Sequence, residues 1–127
     1  VQRGAKLYRI EFYSDKNGKE PVKEYLKRLS SRKDKDSRIN LNKIREYIKI
    51  LSEYGTRAGE PYMKHLIDDL WELRPMDNRI LFFGYDGKKF ILLSYFIKKT
   101  QKTPLREIAK AIKLMNEYKR GAVNEKG

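Results

Sequence analysis

The stretch from Leu70 to Ile97 constrains this chain more than any other, because it reads as consecutive strands with little freedom in how they connect. Leu70 to Arg74, Arg79 to Tyr85 and Lys89 to Ile97 are rich in aliphatic and aromatic residues and are bounded by turn residues. Pro75-Met-Asp-Asn separates the first pair, and Asp86-Gly87, a strong two-residue hairpin signal, separates the second. An antiparallel meander follows. In its last strand both parity sets are largely apolar, with Phe90, Leu92 and Phe96 on one side and Ile91, Leu93, Tyr95 and Ile97 on the other. Such a strand is expected to be central, with protein on both of its faces.

The flanking segments supply the cover. Lys6 to Tyr13 alternate, with Tyr8, Ile10 and Phe12 opposed to Arg9 and Glu11, as in a half-buried strand, and Asp15-Lys-Asn-Gly turns the chain. Pro21 suits the first position of a helix in which Val22, Tyr25, Leu26 and Leu29 form one stripe, ending near Ser30. After a polar break from Arg32 to Asp36, Leu41, Ile44, Ile48 and Leu51 define a second helix that Gly55 stops. Gly55 to Pro61 has the composition of a loop. Beyond the meander, Thr103 caps and Pro104 opens a helix with Leu105, Ile108, Ile112 and Met115 on one face, ending near Gly121. The order β-α-α-β-β-β-α predicts an α+β fold: an antiparallel twisted sheet, two N-terminal helices and one C-terminal helix, with the helices packed on one side. A single domain is expected over residues 1–121, with 122–127 as a flexible tail.

Composition removes several classes of function. The 127 residues contain no cysteine, which excludes disulfides, a thiolate nucleophile, iron–sulfur clusters and thiolate zinc sites, and suits a reducing cytosol. One histidine leaves little for a metal site, so no metal or cofactor is expected. The longest apolar run, Phe90 to Ile97, is interrupted by Ser94 and falls far short of the roughly 20 residues that span a bilayer. With no secretory pattern near the start, the expected location is the cytoplasm. The net charge of +13 points to a polyanionic partner: nucleic acid, an acidic protein or a membrane surface.

Within that charge, Arg74 and Arg79 flank a four-residue connection and therefore face the same side of the sheet, with Trp71 and Leu73 facing the other. Paired guanidiniums repel, and a phosphate accepting bidentate hydrogen bonds between them relieves the repulsion. The bland alternative is that each arginine pairs with Glu72 or Asp77, or is simply a solvated strand end. A regular Asp86-Gly87 hairpin returns Lys98 and Lys99 to the end where Arg79 begins, though a lysine pair leaving a strand often serves only solubility. Lys64 and His65, just ahead of the meander, could reach the same end, and histidine is the side-chain type whose ordinary pKa suits proton transfer near neutrality. Lys102 extends the basic loop, and Tyr54, Tyr62, Tyr95 and Tyr118 offer stacking surfaces for bases or, equally, core packing. Asp68-Asp69 and the Gly-rich Gly84 to Lys89 turn lack the geometry of a metal pair or a phosphate loop.

These residues carry a resemblance. Lys64-x-Leu66, Leu70-Trp-Glu-Leu-Arg74, Arg79-Ile-Leu-Phe-Phe83 and Leu93-Ser-Tyr-Phe-Ile-Lys-Lys-Thr-Gln-Lys-Thr-Pro104 resemble the HigB-like toxins of phage-derived type within the RelE superfamily, the toxin halves of type II toxin–antitoxin pairs. The distinctive part covers Lys64 to Ala111, and the first 60 residues match only in element order. The resemblance implies a ribosome-dependent endoribonuclease, an mRNA interferase that inhibits translation by cutting messenger RNA without a metal. It also implies a HigA-like helix-turn-helix antitoxin, in a heterotetramer, as partner, with DNA contacted only through that antitoxin. By position, Arg74, Arg79, Lys64, Lys98 and Lys99 correspond to the catalytic group, and His65, Tyr54 and Lys102 are RNA-binding candidates. Lysines stand at Lys98 and Lys99 where the family often has His or Tyr, so the acid and base remain open among Lys64, Lys98, Lys99 and His65.

Two other classes compete: a non-catalytic nucleic-acid binder using the same face for affinity alone, and an interaction protein for an acidic partner. On the catalytic reading, Arg74→Ala and Arg79→Ala are each expected to abolish growth arrest with the fold intact.

Overall fold

The computed structural model describes residues 7–126. The chain forms β1 (Arg9–Phe12), α1 (Pro21–Ser31), α2 (Lys35–Tyr54), a short 3-10 turn (Gly55–Ala58), β2 (Met63–Ile67), β3 (Leu70–Leu73), β4 (Asn78–Tyr85), β5 (Lys89–Ile97) and α3 (Leu105–Lys126). The strands lie in the order β1-β5-β4-β3-β2, which makes β5 internal, as its two apolar faces require. The α+β class holds, but the sheet is mixed. β1 runs parallel to β5, whereas β2, β3, β4 and β5 pair antiparallel in succession. An antiparallel neighbour can follow through a tight turn; a parallel one needs a long crossover, which the helices and the remaining strands provide here.

The sheet also has one strand more than the sequence predicts. Met63–Ile67 pairs with β3 at the edge, between the expected Gly55–Pro61 loop and the expected first meander strand, where the sequence predicts no strand. Only Met63 of its residues is buried, and a register shift between His65 and Ile67 interrupts the alternation, so no period-2 signal survives. A second irregularity reshapes β5. Leu81 pairs with Ser94 but Phe82 pairs with Leu92, leaving Leu93 as an inserted residue. Phe90, Leu92 and Tyr95 therefore pack toward one layer and Ile91, Leu93 and Phe96 toward the other, which splits the parity sets read from the sequence.

The two layers correct a second expectation, that all helices share one side. Val22 and Leu29 of α1 and Leu41, Ile44 and Leu51 of α2 pack with Leu73, Ile80, Phe82 and Leu92 on one face. Ala111 and Met115 of α3 pack with Leu70, Leu81, Phe83, Ile91 and Leu93 on the other. The helix caps explain the polar break between α1 and α2: Asp34 accepts hydrogen bonds from Ser37 N and Ser37 Oγ at 2.9 Å, which hold its carboxyl below the usual range. In α3 the apolar stripe begins at Ile108, because Leu105 is 83% exposed, and the helix continues past Gly121 to Lys126. Lys6 and Gly127, at the ends of the expected first strand and tail, lie outside the described residues. Among the described residues no helix is long and apolar enough to cross a membrane.

Two contacts fix the position of β1. Gly55 ends α2 at φ +67° with its Cα against the Tyr8 ring, and a Cβ there would lie 2.8 Å from a ring carbon. Tyr13 donates its hydroxyl to Glu117 of α3 at 2.9 Å, and burial together with that carboxylate pushes the phenol up to about 12. Gly55→Ala should destabilise the protein by about 1–3 kcal/mol in urea denaturation, from the left-handed backbone and the clash together. Because the folded phenol ionises at higher pH than the unfolded one, its contribution is complete below pH 10 and lost as pH rises toward 12. Tyr13→Phe should accordingly flatten the loss of stability over that interval, as measured by denaturation at stepped pH.

Candidate active site

The register of the meander sets the site. Leu73 pairs with Ile80, so Arg74 and Arg79 occupy the next position toward the turn and face the α3 side together with Glu72. Lys64 pairs with Glu72 across β2 and β3 and shares that side. At the same end, the Lys98 backbone N–H donates to Asp77 O at 2.8 Å, and Asn78 pairs with Ile97. The structure thus brings Lys64, Arg74, Arg79 and the start of the Lys98–Lys99 loop to one end of one sheet face.

At the centre stands a carboxylate. Glu72 is 2% exposed, and its Oε2 lies 3.4 Å from Arg74 Nε and 3.9 Å from Arg79 Nε. Its Oε1 accepts the Thr103 hydroxyl at 2.5 Å, so the threonine expected to cap α3 turns its hydroxyl to the sheet instead. The sequence offered either a phosphate or a neighbouring acid as the partner of the arginine pair; in the structure that neighbouring acid is Glu72.

The two arginines differ. Arg79 is 6% exposed and donates from Nη1 to the Met76 and Asn78 carbonyls, each at 2.8 Å, which pins the turn between β3 and β4. Burial, and then the neighbouring Arg74 charge, lower its pKa from the usual guanidinium value. Arg74 retains 19% side-chain exposure, and an exposed Glu60 sits 3.9 Å from its Nη1. Its buried Nε lacks hydrogen-bond geometry to any partner despite the proximity of Glu72. Its terminal nitrogens donate no hydrogen bond either among the described residues, so Arg74 keeps donor capacity on its partly exposed side. Lys64, Lys99 and Lys102 are exposed and Lys98 is half-buried.

Other predicted residues lie elsewhere. His65 is on the opposite sheet face, its ring 5.3 Å from Trp71 and its Nε2 2.6 Å from Asp68 O. Tyr54 ends α2 on that same opposite layer and is 55% exposed. Tyr95 stacks on Tyr25 at 4.1 Å, Tyr62 meets Tyr47 edge-on, and Tyr118 packs against Phe83 and Tyr85, so these rings serve the fold. A surface groove of about 1140 Å³ is at the other end of the sheet, between the β4–β5 hairpin, the end of β1 and α3. Its Lys89 is already paired with Glu11 at 2.9 Å and sits over the Tyr85 and Tyr118 rings. Among the described residues no three His, Asp or Glu side chains gather to hold a metal ion. The residues missed from the sequence as site members are Glu72, weighed only as a pairing partner, and Thr103, read as a cap. Their signal was the x-Glu-x-Arg alternation, which puts acid and base on one strand face.

Fold and site together define a small basic α+β protein with a cationic cluster built around a buried carboxylate at the end of a mixed sheet. The chain belongs to the phage-derived protein Gp49-like family (DUF891), whose model matches residues 24–116, and this family is associated with RelE-like toxins. The match takes in β2 to β5 and every candidate residue, and reaches further toward the N-terminus than the motifs from Lys64 onward. A search of curated proteins found no match.

Because Arg79 is buried, the expectation that either arginine can be removed with the fold intact requires correction for Arg79. Arg79→Ala removes a buried guanidinium that pairs with Glu72 and bonds two turn carbonyls, so it should cost about 3–5 kcal/mol, whereas Arg74→Ala leaves Arg79 to pair the buried carboxylate and should cost less, about 1–2 kcal/mol. Chemical denaturation of the two variants in parallel checks the asymmetry.

Proposed function

We propose that the chain is the toxin of a type II toxin–antitoxin pair, HigB-like within the RelE superfamily, and that it cleaves messenger RNA held on the ribosome. The observation that supports this reading best is the gathering of Lys64, Arg74, Arg79 and the Lys98–Lys99 loop at one sheet end, inside the stretch matched by the family model. In metal-free cleavage the 2′-oxygen attacks the adjacent phosphorus, its proton is removed, and the departing 5′-oxygen is protonated, leaving a cyclic 2′,3′-phosphate. Arg74 is the group suited to the extra negative charge of the phosphorane, since its side chain is partly exposed and, among the described residues, its guanidinium donates no hydrogen bond. Arg79 acts from beneath, holding the turn and adding charge at short range.

With His65 on the other face, the proton transfers fall to the lysines. A Lys98 or Lys99 ammonium donates to the leaving oxygen, and Lys64, on β2 beyond β4 and β3 from that loop, is the remaining candidate base. A group built only of cations gains most from a substrate already held in line for attack, which the ribosome supplies. The exposed cations Lys23, Lys27 and Arg28, together with partly exposed Lys43, provide phosphate contacts for docking on ribosomal RNA. The partner in this reading is a HigA-like helix-turn-helix antitoxin forming a heterotetramer, which alone contacts the operator DNA. The cytoplasm is the matching location.

A second reading has one observation in its favour. Without His65 the cluster contains no group with an ordinary pKa near neutrality, as suits a non-catalytic nucleic-acid binder. Regulated expression in bacteria separates the two. Wild type should arrest growth, and purified protein should cut messenger only when ribosomes are present. Arg74→Ala should lower cleavage about 100-fold, the scale of losing one transition-state donor, with the fold retained at the assay temperature. Ribosome binding without cleavage would establish the binder instead.

A further inference from the structure

Glu72 divides its two oxygens between two parts of the molecule. Oε2 faces the guanidiniums of Arg74 and Arg79, and Oε1 takes the hydroxyl of Thr103, the last residue but one before α3. The segment from Lys98 to Pro104 has no regular secondary structure. It is held at its start by Lys98 N–H to Asp77 O and internally by Thr100 Oγ1 to Lys102 O at 3.2 Å. Among the described residues, Lys98, Lys99 and Lys102 make no ion pair. Cations on a short exposed loop repel each other and the nearby arginines, so something must hold the loop over them.

We infer that Glu72 and Thr103 are positioning residues: the carboxylate orients Arg74 and, through the Thr103 hydroxyl, latches the Lys98–Lys102 loop beside it. The inference rests on the proposed cleavage reaction for its consequence, but the latch itself rests on geometry alone. Three features support it. A threonine hydroxyl has one proton to give, and Thr103 gives it to a buried oxygen 31 residues away in sequence, so the bond ties separate elements. The acceptor is charged, which makes the bond stronger than one between neutral groups. And Glu72 cannot turn to another partner, because its other oxygen is committed to the arginines.

Trypsin reads the latch directly, since it cuts after Lys98, Lys99 and Lys102. Thr103→Val should raise the rate of cleavage within this loop at least tenfold at a temperature well below the melting of both proteins, and Thr103→Ser should restore wild-type digestion. In ribosome-programmed cleavage under single-turnover conditions, Thr103→Val should lower the rate constant about tenfold, leave the affinity for ribosomes in sedimentation within twofold, and again be rescued by serine. Glu72→Gln, which keeps an acceptor for Thr103 but loses the charge, should protect the loop more than Glu72→Ala does. Unchanged digestion in Thr103→Val overturns the latch. Faster digestion with unchanged cleavage of messenger overturns the positioning role. A wild-type protein that cuts no ribosome-bound messenger overturns the reaction, and the digestion series still decides the latch on its own.

Discussion

A carboxylate removed from water must be paired, and the pairing of Glu72 sets the geometry of one end of this sheet. Its place on β3 is fixed by alternation: Leu73 and Trp71 belong to the α1–α2 layer, so Glu72 and Arg74 face α3. Burial then selects its partners. Arg79, the first residue after Asn78 in β4, lies across from Arg74 and supplies the second guanidinium. The same arginine bonds two carbonyls of the β3–β4 turn, so one buried ion pair holds the turn, the strand register and the orientation of the exposed arginine together.

The double-sided sheet explains why this pair is at the margin of the core and not within it. α3 covers the sheet from Ile108 onward, leaving its first residue, Leu105, exposed. The ion pair sits where that cover begins, dry beneath and open above, as the contrast between 7% exposure for the Arg79 side chain and 19% for Arg74 shows. In the proposed reading a polyanion meets Arg74, while Arg79 is committed to the turn. Low dielectric below strengthens both charges' hold on Glu72; in that proposed reading, solvent above lets Arg74 exchange that hold for a phosphate.

Much of this was legible in the sequence. The Asp86-Gly87 turn, the central strand, the helix stripes and the shared face of Arg74 and Arg79 follow from period and turn chemistry, which act over a few residues. What escaped was non-local. β2 is an edge strand with one buried residue and a bulge, so its pattern is indistinguishable from loop until β3 is beside it. The bulge at Leu93 shifts Tyr95 and Phe96 to the opposite layers from those that strict alternation assigns. Sequence alone left His65 beside Lys64 as a site candidate; once both lie on one strand, alternation sends them to opposite faces. The buried role of Arg79 could not be read either, because burial at a strand end depends on which distant segments cover it.

The net charge of +13 now separates by environment. Cations along α1, such as Lys23, Lys27 and Arg28, are exposed and exert long-range attraction that salt screens within about 10 Å. The cluster at the sheet end works differently, since it contains its own acid. A phosphate approaching Arg74 competes with Glu72 for the guanidinium, so the site's intrinsic hold on a free polyanion is weaker than its count of positive residues suggests. In the proposed reading that weakness is consistent with the division of labour: the helix faces deliver affinity for ribosomal RNA, and the tempered cluster engages only a phosphate already delivered to it. A cluster without Glu72 would bind any RNA backbone more tightly, and it would lose both the fixed orientation of Arg74 and the tie to the basic loop.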